Sequence, residues 1–218
     1  MSKKKIEKIQ KKNAYSGLLW LFALGSLLGV VLEGIFCLVR YGRWETHVVS
    51  VWGPFCILYG FGIVGFYLCS TILKQKKWWV QFLIYCGVGF AIELICGCIL
   101  EFGLRMRAWD YSEHFMNIRG HVSLKMTIVW GIAGIGFSKI APYIDKLLKK
   151  TEKRVWKNLS LVFTVFMLVN LIVTTAAVVR WKERHINVPA KNRFERLLHE
   201  NYNDSFMAER FCEWRFLE

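Results

Sequence analysis

Residues 18–39, 52–73, 78–104, 122–141 and 159–179 are almost continuously apolar. Each run is close to the ~20 residues a helix needs to cross ~30 Å of hydrocarbon. Lys74, Lys76 and Lys77 close the second run, and Pro142 closes the fourth. The pattern predicts an all-α fold, a polytopic transmembrane helical bundle of about five spans. Trp78-Trp79 and Trp181 lie at run ends, where an aromatic belt meets the lipid headgroups. The basic start, Lys3-Lys4-Lys5 through Lys11-Lys12, is like that of a signal peptide. The apolar run behind it is too long and lacks a small-residue cleavage site, so it reads as an uncleaved first span.

Beyond the fifth run the period changes. Phe194, Leu197, Leu198 and Tyr202 fall at helical spacing, and Phe206, Met207, Phe211 and Trp214 do so again. Two short amphipathic helices are expected, lying on the membrane surface or against the outer loops, with Asp204 capping the second. The expected division is a transmembrane bundle over 1–181 and an amphipathic tail over 182–218.

Composition sharpens this picture. The chain has 218 residues, 55% of them hydrophobic, and a net charge of +14. Such a charge points to nucleic acid only if it forms a stripe. Here the lysines occupy short blocks between apolar runs, so no nucleic-acid partner is expected and the lipid bilayer is the partner. With the N-terminus inside, fifteen Lys and Arg fall in inner segments (3–12, 74–77, 146–157). Six fall outside: Arg40, Arg43, Arg105, Arg107, Arg119 and Lys125. The bias predicts a multi-pass cell-membrane protein with a cytoplasmic N-terminus and an extracytoplasmic C-terminus. From Arg180 onward eight basic and seven acidic residues nearly cancel.

Six of seven cysteines lie in apolar runs and read as small packing residues; Cys212 stands alone in the tail. No disulfide framework is implied, and no metal-ligand spacing is recognised. Gly60-Phe61-Gly62-Ile63-Val64-Gly65 matches a dinucleotide fingerprint, but it lies inside a span, where glycines let helices approach closely. Gly25 and Gly29 read the same way. No G-x-x-x-x-G-K-[ST] occurs, so neither a cofactor nor ATP hydrolysis by this chain is expected.

The candidate chemistry is charge within spans. Glu33 and Glu93 each lie about fifteen residues into an outward-running span, ~22 Å from the inner face at ~1.5 Å per residue. A central charge costs roughly 2.5–3.5 kcal/mol on insertion scales, so two at one level need a reason. Glu101 lies two turns above Glu93, and Arg40 two turns above Glu33. With Lys125 at the start of the fourth span, these residues describe a charged vestibule opening outward. It is either a site for a polar or cationic solute or an ion-pair network fixing helix register. The loop with Trp109, Asp110, Tyr111, Asn117, Gly120 and His121 is rich in turn formers. It reads as a cap on the bundle or a lid over the carboxylates.

The run Trp52-Gly53-Pro54-Phe55-x-x-x-Tyr59-Gly60-x-Gly62, the Glu93-centred span, Trp109-Asp110-Tyr111-Ser112, Asn117-x-x-Gly120 and Lys191-Asn192-Arg193-Phe194 resemble the bacterial ABC-transporter permease family of CmpB type. The chain departs from that pattern at Arg43-Trp44-Glu45-Thr46-His47 and at Gly120-His121-Val122. The resemblance implies a small permease-like protein, with any ATPase or further membrane subunit a separate chain. Two other readings stand beside it. One is a membrane enzyme acting on lipid, with Glu93 or Asp110 as base and His121 or His114 as acid, although no nucleophile motif accompanies them. The other is a non-catalytic partner or sensor.

Overall fold

The computed structural model describes residues 15–45 and 47–217. The basic segment 3–12 and Thr46 lie outside them. Among the described residues, four helices are long and apolar enough to cross a membrane, and a fifth apolar helix is shorter. Helix α1 spans Tyr15–Tyr41, α2 Ile57–Leu73 and α3 Trp78–Cys98, the last continuing as a π-helical turn over Ile99–Leu104. Helix α4 spans Leu124–Leu148 and α5 Arg154–His185. Only 39% of the apolar window of α1, and 28% of those of α3, α4 and α5, is buried inside the chain. The remaining apolar surface needs lipid to cover it.

Helix α2 starts at Ile57, not at 52 as expected. Gly53 has φ +74°, and Pro54 has no N–H to give a helix. At membrane depth such open backbone survives only when other protein groups satisfy it. Helix α5 does this. Asn170 Oδ1 accepts the Trp52 N–H at 3.2 Å, and Asn170 Nδ2 donates to the Trp52 carbonyl at 2.8 Å. The Thr174 hydroxyl accepts the Val51 N–H at 2.9 Å. The result is a helix of 17 residues, ~25 Å long at ~1.5 Å per residue.

Helix α4 also differs from expectation: it passes through Pro142 and ends at Leu148. Proline removes one backbone donor, but contacts to neighbouring helices can hold the turns that follow. Here the Tyr67 hydroxyl of α2 donates to Asp145 Oδ1 at 2.8 Å, one turn past the proline. The core of this half joins Leu21, Phe66, Tyr67, Tyr85, Trp130 and Phe137.

The tail forms the two expected short helices, α6 (Arg193–Asn201) and α7 (Asp204–Arg210). Asn203, not Asp204, caps α7 by accepting the Phe206 N–H. Its neighbour Asp204 instead binds Arg184 Nε at 2.6 Å. Leu198, Met207 and Phe211 pack on Val51, Met106, Ala177, Val178 and Trp181, while Phe194 and Leu197 stay exposed. Strand β1 (Met106–Arg107) pairs antiparallel with β2 (Arg215–Phe216). The Arg210 side chain donates to the carbonyls of Ser50 and Gly53. The 42–56 loop, the 105–123 loop and the tail therefore form one layer on a single end of the bundle.

Candidate functional site

Beneath that layer, three aromatic side chains fill slots left by glycines. A Cβ at Gly29 would collide with the Tyr59 ring, one at Gly62 or Gly89 with Trp130, and one at Gly97 with His121. The glycine pattern thus reports helix contact, as expected, and it also seats the rings around the carboxylates. Tyr59 and Trp130 lie 5.7 Å apart, centroid to centroid.

Glu93, on α3, is 3% exposed. The Tyr111 hydroxyl and the Trp130 indole N–H face its carboxylate, but Glu93 Oε2 and Trp130 Nε1 complete no hydrogen bond of good geometry. No Lys, Arg or His among the described residues pairs with Glu93. Tyr111, in the loop, is held well above the ordinary tyrosine range by burial, with Glu93 adding to the effect.

Glu33, on α1, lies across Tyr59 from this group. The Tyr59 hydroxyl donates to Glu33 Oε1, and His47 Nδ1 contacts Glu33 Oε2. Tyr59 also lies within electrostatic reach of Glu93 and Tyr111. The structure thus brings Glu33 and Glu93 to one aromatic pair.

Glu101 belongs to a different set. In the π-helical turn it accepts from Arg119 at 2.8 Å and Arg107 at 3.2 Å. His121 Nε2 approaches to 2.9 Å at ion-pair distance, without hydrogen-bond alignment. Burial holds His121 below the ordinary histidine range; Arg107 and Arg119 push the same way, and Glu101 opposes them. Arg107 also binds Asp110 at 3.1 Å. The Ser112 hydroxyl and N–H donate to Asp110, and these bonds, with Arg107, keep its carboxyl below the usual range.

The 105–123 loop is tightly cross-bonded. Trp109 Nε1 donates to the His121 carbonyl at 2.8 Å, and Tyr111 N–H to the Gly120 carbonyl at 2.8 Å. Asn117 Nδ2 donates to the Ser112 and His114 carbonyls, while its Oδ1 accepts the Gly120 N–H. Gly120 takes the positive φ expected of it, and Arg119 shares the left-handed region at φ +53°. A cleft lined by Gly97, Leu100, Arg107, Ala108, Trp109 and His121 is too narrow to admit water.

Arg40 and Lys125 stay outside all of this. Both are exposed, and among the described residues neither makes an ion pair. Sequence reasoning missed His47, Tyr59, Arg107, Trp130 and Asn170. Asn170 had a signal, as a lone amide inside an apolar run. Arg107 entered only as a loop charge.

A bundle of apolar helices with a polar layer over one end defines a polytopic helical membrane protein. The family described as "Putative ABC-transporter type IV" matches residues 20–175, and the chain belongs to that family. No curated protein and no solved structure matches it.

Proposed function

We propose that this chain is a permease-like membrane subunit of an ABC-type transport system that takes a small cationic or polar solute at Glu93. One observation carries the reading: Glu93 is 3% exposed, and no cationic side chain among the described residues pairs with it. A bare carboxylate inside a membrane bundle costs several kcal/mol unless a cation or proton offsets it. Its surroundings are aromatic instead: Tyr111, Trp130 and, one ring further, Tyr59. A buried carboxylate among aromatic side chains suits an organic ammonium group or a partly dehydrated cation. Glu33 offers a second carboxylate across Tyr59.

In this reading the 105–123 loop is the lid, since Tyr111 within it reaches Glu93. The basic segments 74–77 and 146–157 lie at the opposite end, which in this reading turns the lid outward and makes the N-terminus cytoplasmic. ATP hydrolysis belongs to a separate chain, because this sequence holds no P-loop.

Thermal unfolding in detergent with a series of alkylammonium ions tests the proposal. A ligand bound only by the folded state stabilises it by about 2.7 kcal/mol at a hundred times Kd, and so raises the midpoint. Wild type should shift, and Glu93→Gln should unfold at a similar midpoint yet fail to shift. Equal shifts in both proteins would refute a role for Glu93.

A further inference from the structure

A second cluster lies at the same end of the bundle, formed by α1, the 42–56 loop and the tail. Cys37, near the end of α1, is 1% exposed, and its Sγ is 3.8 Å from His47 Nε2. The ligating atoms of Cys37, Glu45 and His47 all lie within 4.8 Å of one another. From the tail, Glu213 Oε1 approaches His47 Nε2 to 3.0 Å. We infer that Cys37, Glu45, His47 and Glu213 bind a divalent transition-metal ion, with Zn2+ the best fit to the donor set.

The geometry suits tetrahedral coordination. With Zn–S near 2.3 Å and Zn–N near 2.0–2.1 Å, sulfur and nitrogen ligands of one zinc stand about 3.6 Å apart. A mixed thiolate, imidazole and carboxylate set disfavours Mg2+ and Ca2+, which take oxygen ligands. The outer contacts fit as well. A metal-bound histidine characteristically gives its other ring nitrogen to a carboxylate, and here His47 Nδ1 meets Glu33 Oε2. Tyr59 fixes Glu33 in turn by donating to Oε1. Arg43 holds Glu45 Oε1 at 2.8 Å from an exposed position. Without an ion, Cys37 and Glu213 converge on the same ring nitrogen, which can give only one of them a straight hydrogen bond. A metal at that point satisfies both, and it clips the tail, through Glu213, to α1 and the 42–56 loop.

The inference does not rest on the Glu93 reading, because loss of metal in Cys37→Ser and loss of cation response in Glu93→Gln are separate results. The test uses the full-length chain in detergent. It measures Zn2+ retained after desalting and the absorption spectrum with Co2+ as probe. Wild type should retain about one Zn2+ per chain and show a thiolate-to-Co2+ charge-transfer band with intense tetrahedral d–d bands. Cys37→Ser should lose that band, and Glu33→Gln should weaken Zn2+ binding 10–100-fold. Cys37 is buried, so Glu45→Gln, at the edge of the cluster, gives a second variant. It should fold with wild-type helicity and bind Zn2+ at least tenfold more weakly. Cys212→Ser should keep the band. No retained Zn2+ in wild type, unchanged affinity in Glu45→Gln, or a band lost with Cys212→Ser and kept with Cys37→Ser would each overturn the site.

Discussion

Glu93 and Glu101 stand two turns apart near the end of one helix, and their surroundings are opposite. Glu101 meets two guanidinium groups and an imidazole within 3.2 Å. Glu93 meets a phenol, an indole and no cation among the described residues. The residues around Glu101 come from the 105–123 loop, so its charge holds that loop to the bundle. Those around Glu93 come from α4 and the same loop, and they leave its charge without an opposite. A carboxylate bound by its own chain stabilises a fold; one left without a counter-charge is where an external cation gains most.

The largest effect that tests this contrast is on stability. Glu101→Gln takes from Arg107 one of its two acidic partners, Asp110 being the other, and removes the carboxylate beside the buried His121, while Arg119, 59% exposed, recovers much of its loss in water. The expected cost is about 2–4 kcal/mol, read as a lower unfolding midpoint in detergent. Glu93→Gln keeps the shape and removes only an unpaired charge, so its stability change should stay within about 1 kcal/mol. If Glu93→Gln proves the more destabilising of the two, the assignment of roles is reversed.

How far this contrast was readable in advance follows from how far apart its partners lie in sequence. Helix content and the runs behind α1, α3, α4 and α5 follow from local apolar periodicity, so they were legible. The start of α2 was not: the Gly53-Pro54 break is local, but its tolerance depends on Asn170, more than a hundred residues away. Continuation of α4 through Pro142 likewise depends on Tyr67 meeting Asp145. Glu33, Glu93 and Glu101 stood out because charge in an apolar run is costly. Their partners did not, since Arg40 and Lys125 matched by depth, whereas the chain uses His47, Arg107, Arg119 and His121 from folded loops.

A smaller effect sharpens the Glu101 side of the comparison. Burial and two arginines hold His121 below the ordinary histidine value of 6.5, against Glu101 and the more distant Asp110. Between the folded and unfolded pKa values the unfolded chain binds more protons, so stability rises with pH there. The His121 contribution is fully present above about pH 6.5 and is lost as pH falls toward the folded value. Wild type should therefore lose stability relative to His121→Gln when both are titrated from about pH 7.5 to pH 5. Parallel curves would mean that His121 stays neutral in both states and only fills space beneath the loop.

The smallest effect concerns Asp110, which touches the network only at its edge. Its side chain is 41% exposed, so solvent screens its ion pair with Arg107. Asp110→Asn keeps an Oδ1 acceptor for the Ser112 N–H and hydroxyl, so the turn should survive. What is lost is one partly screened charge, worth about 0.5 kcal/mol or less. Because Asp110 titrates below its ordinary value of 3.8, its contribution is present above that pH and lost as pH falls through the folded value. Wild type and Asp110→Asn should therefore differ slightly at neutral pH and converge in acid. A cost for Asp110→Asn as large as that for Glu101→Gln would mean that Arg107 is held by the loop and not by α3. The 105–123 loop would then be a self-supporting unit, and Glu101 would lose its claim to be the carboxylate that fastens it.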